Sequence, residues 1–177
     1  MNINYSKTLL HYLIIIVITA IIKYFIHLEP DKFLFVTIIL LFSILKIAFF
    51  YQSIFKKLII VTKDVQYFSF LIFICFNVIY LIFSFSLDYF LIYSLDPLSF
   101  TGIEGADNIY EVYFKFFYLS FLLFTNMGVA NVIPVAIPAE ALVMLEAISS
   151  FATIIFVLSD FVSLKESFQY LRSKGKQ

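Results

Sequence analysis

Tryptophan is absent from this chain, cysteine occurs once, and glycine and proline occur only four times each. Without tryptophan, aromatic anchoring at a membrane–water interface falls mainly to the 12 tyrosines, set beside 24 phenylalanines. The single cysteine, Cys75, has no partner for a disulfide within the chain. It lies in an apolar run and reads as a small packing residue. Charge is scarce: 14% of residues, where a soluble domain carries about 25%. The formal net charge is zero and no long basic run is present, which argues against direct nucleic-acid binding. His11 and His27 have no histidine or cysteine at metal-ligand spacing and read as interfacial or packing residues, so no metal and no cofactor are expected. No nucleophile–base constellation stands out, so an enzyme is not expected.

Apolar residues fill the space. Hydrophobic side chains make up 63% of the 177 residues and the mean hydropathy is +1.01. The composition is that of an integral membrane protein. The first apolar run is too long for the core of a signal peptide, and no small-x-small cleavage site follows it, so it reads as a retained span. A span needs about 20 apolar residues. The runs place spans at about Leu9–Leu28, Phe33–Tyr51 and, from Tyr67, an apolar stretch to about Leu95. Asp88 interrupts that third run and predicts that its last part leaves the bilayer or caps the outer surface. After the polar stretch DPLSFTGIEGADNIYE comes an aromatic run, Tyr113–Phe124, too short to span. The fourth span runs from about Pro138 to Phe161. No internal repeat and no separate soluble domain is visible.

The expected fold is therefore all-α and integral to the membrane. Four transmembrane helices carry a re-entrant pore helix and loop before the last, and one chain supplies one wall of a homotetramer. The chain divides into residues 1–64 (two N-terminal spans and their connection), 65–163 (outer helix, pore helix, filter-like loop and inner helix) and 164–177 (a short basic tail). With the N-terminus inside, Lys7, Lys56, Lys57, Lys63, Lys165, Arg172, Lys174 and Lys176 are cytoplasmic, against Lys32 and Lys115 outside. Lys23 and Lys46 lie inside spans and are expected to snorkel to the nearer interface. This bias predicts a multi-pass protein of the cell inner (plasma) membrane with both termini cytoplasmic. Lys56, Lys57, Lys63, Arg172 and Lys174 are candidates for contact with anionic lipid or for docking a cytoplasmic partner.

The stretch FTNMGVANVIP, residues 124–134, joins the short aromatic run to the last span. Its Asn, Gly and Pro residues break a helix, and lipid does not tolerate irregular backbone unless protein or water covers it. Span, acidic loop, half-length helix, Gly-containing turn and span is the order of a re-entrant pore loop, with the half-helix dipole aimed at the centre. Residues YLSFLLFTNMGVANVIPVAIPAEALVMLEAISS resemble the pore region of the potassium-channel superfamily. Thr125 matches the threonine before the filter, and Asn126, Met127, Gly128, Val129, Ala130 and Asn131 fall on filter positions. The likeness continues through Pro134 and Pro138 into Leu145-Glu146-Ala147. The chemistry departs from the family's Thr-Val-Gly-Tyr-Gly-Asp. Asn126 replaces the threonine that closes the inner site. Val129 replaces the tyrosine, and Asn131 removes an aspartate charge. Ala130 replaces the second glycine, where left-handed backbone costs about 1–2 kcal/mol. The resemblance implies the loop fold without potassium selectivity.

On the last span Glu146, Ser149, Ser150, Thr153 and Asp160 recur at three- and four-residue steps and share one helical face. Such a stripe either lines a pore or packs polar groups inside the bundle. Glu140, in the first turn after Pro138, suits a helix N-terminus. Asp96, Glu104, Asp107 and Glu111 make the loop before the pore helix acidic. The tail after Phe161 is too short for a ligand-binding domain, so any inner-side output calls for a cytoplasmic partner protein. In this layout the chain resembles the membrane subunits (KwaA) of the Kiwa antiphage defence system. That resemblance implies a membrane sensor or anchor whose partner acts in the cytoplasm. The alternative is a poorly selective cation channel.

Overall fold

The structure is a computed structural model, and it describes residues 17–19, 21–24, 31–61, 67–106, 108–128 and 131–174, with side chains outside 56–71 and 159–174. Among the described residues four long helices follow in order: α1 (Lys32–Val61), α2 (Tyr67–Leu95), α3 (Ile109–Phe124) and α4 (Ile137–Lys174). Three are long and apolar enough to cross a membrane, over Lys32–Phe55, Ile72–Leu95 and Ile137–Leu158. The expected first span falls mostly outside the described residues, though positions 17–19 and 21–24 are helical.

The third apolar run is one uninterrupted helix through Asp88 to Leu95. Asp88 is fully buried inside it. A carboxylate is tolerated there because α1 supplies Lys46, which is itself buried instead of snorkelling. Cys75 also departs from expectation. It is exposed on the surface of α2 in the single chain. His11, His27, Asp107, Val129 and Ala130 lie outside the described residues.

Asp96 ends α2 by accepting from Leu98 N at 3.2 Å and starting a short 3₁₀ turn, Pro97–Ser99. The chain then forms strand β1 (Phe100–Thr101), which pairs antiparallel with β2 (Ile133–Pro134), Phe100 opposite Pro134. The Ser99 carbonyl extends the pairing by accepting from Val135 N and Ala136 N at 2.9 and 3.3 Å. This small ladder ties the end of α2 to the start of α4. Gly102 makes it feasible: its φ is +83°, and a Cβ there would lie 1.8 Å from the Asn131 carbonyl oxygen.

Between these two connections sits α3. Asn108 caps it, its side chain accepting from Tyr110 N and Glu111 N at 3.0 Å each and donating to Glu111 Oε1 at 2.8 Å. At 16 residues, α3 is about 24 Å long. It packs on α2 and α4, and α1 packs on α2 and α4. The core between α2 and α3 is aromatic. Phe116 is fully buried and meets Phe100 and Tyr93 at 4.9 and 5.6 Å between ring centroids, and Tyr89 meets Phe100 at 5.8 Å. Separations of 4.5–7 Å at large interplanar angles are the favoured arrangement for aromatic pairs.

Candidate functional site: a loop and its buried polar core

The loop begins as a helix cap. Thr125 ends α3, and its hydroxyl bonds back to the Phe121 carbonyl at 2.8 Å. Asn126 N donates to Leu123 O at 3.1 Å and Met127 N to Leu122 O at 3.0 Å. These two bonds, with Asn126 at φ +55°, make a Schellman cap. Asparagine is among the few non-glycine residues that adopt this conformation readily. Gly128 follows at φ +70° with open space where a Cβ would stand. Thr125, Asn126, Met127, Gly128 and Asn131 are all exposed in the single chain.

Behind the loop, the polar side of α4 faces inward. Glu146, Ser149, Ser150 and Thr153 are buried. Asp160 lies on the same helix, with its side chain outside the described residues. Ser150 Oγ donates to the Phe124 carbonyl at 2.6 Å and accepts from Asn126 Nδ2 at 3.2 Å. One hydroxyl thus holds both the last turn of α3 and the first loop residue. One turn earlier, Glu146 accepts from Ser120 Oγ of α3 on one carboxyl oxygen and from the Tyr89 hydroxyl of α2 on the other. On the same face of α4, the Tyr51 hydroxyl of α1 donates to the Ser149 carbonyl at 2.7 Å and lies 3.3 Å from Thr153 Oγ1. All three neighbouring helices therefore reach α4 through polar contacts within two turns.

A second polar group lies next to the first in sequence, because Asp88 precedes Tyr89 on α2. Asp88 Oδ2 accepts from Lys46 Nζ and from Ser43 Oγ, the latter at 2.6 Å. Lys46 also stands over the rings of Phe42 and Phe85, at 5.0 and 5.9 Å from their centroids. This is the one ion pair found among the described residues, and both partners are buried. In hydrocarbon, such charges persist only when paired.

Spacing along α4 marks Glu146, Ser149, Ser150 and Thr153 as one face, and the structure gives that face its partners. Tyr51, Tyr89, Ser120 and the Lys46–Asp88 pair are not recoverable from periodicity. The only available signal for the pair is that charged residues inside spans require partners. Of the filter-like residues, Thr125, Asn126, Met127 and Gly128 gather at the end of α3, Asn131 lies beside Gly102 just before β2, and Val129 and Ala130 lie outside the described residues. The side chains of the docking candidates Lys56, Lys57, Lys63, Arg172 and Lys174 also lie outside them. Among the described residues, no group of three or more histidine, cysteine, aspartate or glutamate side chains is placed to hold a metal.

No family model matches the chain, and neither a curated protein nor a solved structure does.

The chemical capacity of the site follows from which groups are free. On α4, Glu146, Ser149, Ser150 and Thr153 are bonded within the chain. From Met144 onward the described face that α4 leaves exposed is apolar, with Met144, Ile148, Phe151, Ile155 and Leu158, and the exposed Glu140 stands one turn before it. The stretch from Met144 to Leu158 offers no polar side chain to a hydrated ion on this face.

Proposed function

We propose that the chain is a pore-loop membrane subunit that assembles as a homotetramer and serves as a membrane sensor or anchor for a cytoplasmic partner, not as a selective potassium channel. One observation carries this reading. Glu146, Ser149, Ser150 and Thr153, which would line a conduit on α4, are bonded inside the chain, and from Met144 to Leu158 the face left over is apolar. If that face meets an axis, it makes a dry path. The loop adds to the case. Asn126 serves as a helix cap, and neither it nor Met127 supplies a threonine hydroxyl.

Assembly is supported by the exposure of irregular backbone. Residues 125–128 and 131 stand open beside an apolar helix, and lipid is a poor neighbour for such backbone. Further copies of the chain would cover it. In this reading four spans place both termini in the cytoplasm of the inner membrane, and the connection near Lys56, Lys57 and Lys63 faces the partner. The Kiwa-like layout makes antiphage defence the setting.

Two measurements test the reading. In liposomes holding the reconstituted protein, potassium and sodium gradients should dissipate no faster than in empty vesicles; a current that strongly prefers potassium overturns it. The second is a pull-down with Lys56→Glu and Lys57→Glu combined. Partner recovery should fall while the native mass stays that of four chains. Equal recovery at raised salt removes the docking surface and favours a poorly selective channel.

A further inference from the structure

A cavity of about 240 Å³ opens between the start of α1, the end of α2 and the start of α4. Phe33 and Val36 of α1 and Ile92 and Leu95 of α2 give it apolar walls. Lys32 and Asp96, one from each of the same two helices, also line it.

The wedge follows from where the helices are tied. The β ladder draws the end of α2 onto the start of α4. α1 is bonded to its neighbours further in, through Ser43, Lys46 and Tyr51, the first of them about three turns beyond Lys32. The spans set the level of the cavity. Lys32 opens one segment long and apolar enough to cross a membrane, Leu95 closes the second and Ile137 opens the third. The cavity therefore sits where all three leave the hydrocarbon, at the level of lipid headgroups.

Its two charges narrow the choice of ligand. Lys32 and Asp96 share the cavity without pairing, since the one ion pair among the described residues is Lys46–Asp88. Asp96 accepts from Leu98 N on Oδ1, which leaves Oδ2 to accept from a further donor. A lone anion would be held by Lys32 and repelled by Asp96, and a lone cation the reverse. A ligand that carries both charges satisfies both walls. The cavity is smaller than the roughly 300–1,000 Å³ of sites for drug-sized ligands, so it admits a headgroup and not a whole lipid.

We propose that this wedge binds the headgroup of a zwitterionic phospholipid with a primary ammonium. The phosphate accepts from Lys32 Nζ and the ammonium donates to Asp96 Oδ2, both as charge-assisted hydrogen bonds. The acyl chains run over α1, where Phe33 is 80% exposed. The quaternary ammonium of phosphatidylcholine keeps the charge but has no N–H to donate, and phosphatidylglycerol has no cation. The site is complete within one chain and is independent of the tetramer and the partner proposed above.

Native mass spectrometry of the full chain tests it. The protein is reconstituted in vesicles of equal parts phosphatidylethanolamine, phosphatidylcholine and phosphatidylglycerol and released with its bound lipid. Phosphatidylethanolamine should be retained in excess. Asp96→Asn removes the charge but keeps a side-chain oxygen to cap the 3₁₀ turn. Its retention of phosphatidylethanolamine should fall about tenfold, to the level of phosphatidylglycerol. Lys32→Gln should lower retention of all three lipids by a similar factor. Equal retention of phosphatidylethanolamine and phosphatidylglycerol by the wild type would overturn the proposal, and so would a preference that survives Asp96→Asn. A map of the wild-type protein in a phosphatidylethanolamine nanodisc needs no variant. It should show a headgroup between Lys32 and Asp96. A wedge filled by residues 25–30 of the chain, or by water alone, would overturn the site.

Discussion

Removing the carboxylate of Asp88 should strand a buried ammonium. Lys46 would keep three contacts: the Ser84 carbonyl at 3.5 Å and the rings of Phe42 and Phe85 at 5.0 and 5.9 Å. The carbonyl is at the limit of a hydrogen bond. Cation–π contacts contribute about 0.5–2 kcal/mol each. The effective desolvation penalty of an ion is several kcal/mol, so these contacts do not offset it. Breaking a buried pair by deleting one partner typically costs about 3–5 kcal/mol. Asp88→Ala and Lys46→Ala should each destabilise the protein by that amount. For a chain of this size, the shift in melting temperature is about 6–20 °C, at about 2–4 °C per kcal/mol. Replacing both with apolar residues, Lys46→Met and Asp88→Leu, should restore most of the loss, because no lone charge is left. Thermal melts of detergent-solubilised protein, followed by size-exclusion chromatography, give the four corners of the double-mutant cycle. Additive losses, with the double variant the least stable of the set, would refute the reasoning. So would single variants within about 1 kcal/mol of wild type, the range of a solvated pair.

Three further outcomes follow from the same structure. Gly102→Ala should destabilise far more than Gly105→Ala: both glycines have positive φ, which costs about 1–2 kcal/mol in an L-residue, but only at Gly102 would the new Cβ meet a backbone atom. Equal melting temperatures for the two would contradict the close approach to Asn131. Tyr51→Phe should cost about 0.6 kcal/mol and at most about 1.7, the range for a hydrogen bond between membrane helices, read as a small fall in melting temperature. Asn126→Gly should be nearly neutral and Asn126→Val costly by about 1–2 kcal/mol, since Asn126 has φ +55°; an equal response to both would remove the cap from the account.

The sequence makes the long helices legible and leaves their partners hidden. The extent of α2 follows from its unbroken run of apolar residues. The burial of Asp88 within it does not, because a lone carboxylate reads as the point where the run leaves the bilayer until Lys46, 42 residues earlier, is seen beside it. A window that slides along the chain cannot find a partner at that distance. The start of α3 lies four residues before the aromatic run. Its signal is Asn108 with Glu111 three residues on, a variant of the capping box set in a polar stretch that otherwise reads as loop. The two-residue strands have no periodicity to detect. On α4 the spacing of Glu146, Ser149, Ser150 and Thr153 defines a face, but spacing alone cannot distinguish an inward face from a pore. The bonds to Tyr51, Tyr89, Ser120 and Asn126 place it inward. In the loop, Gly128 and Ala130 draw attention as the glycine positions of a filter. Asn126 carries the left-handed turn that ends the helix, and side-chain type alone does not reveal it.

A map of the assembled protein in a lipid nanodisc tests the central claim most directly. The account predicts four chains around one axis, with residues 124–134 gathered at that axis and covered by protein, and with the path along α4 closed by apolar side chains. A single chain or a two-fold pair, or loops facing lipid at the edge of the assembly, would contradict it.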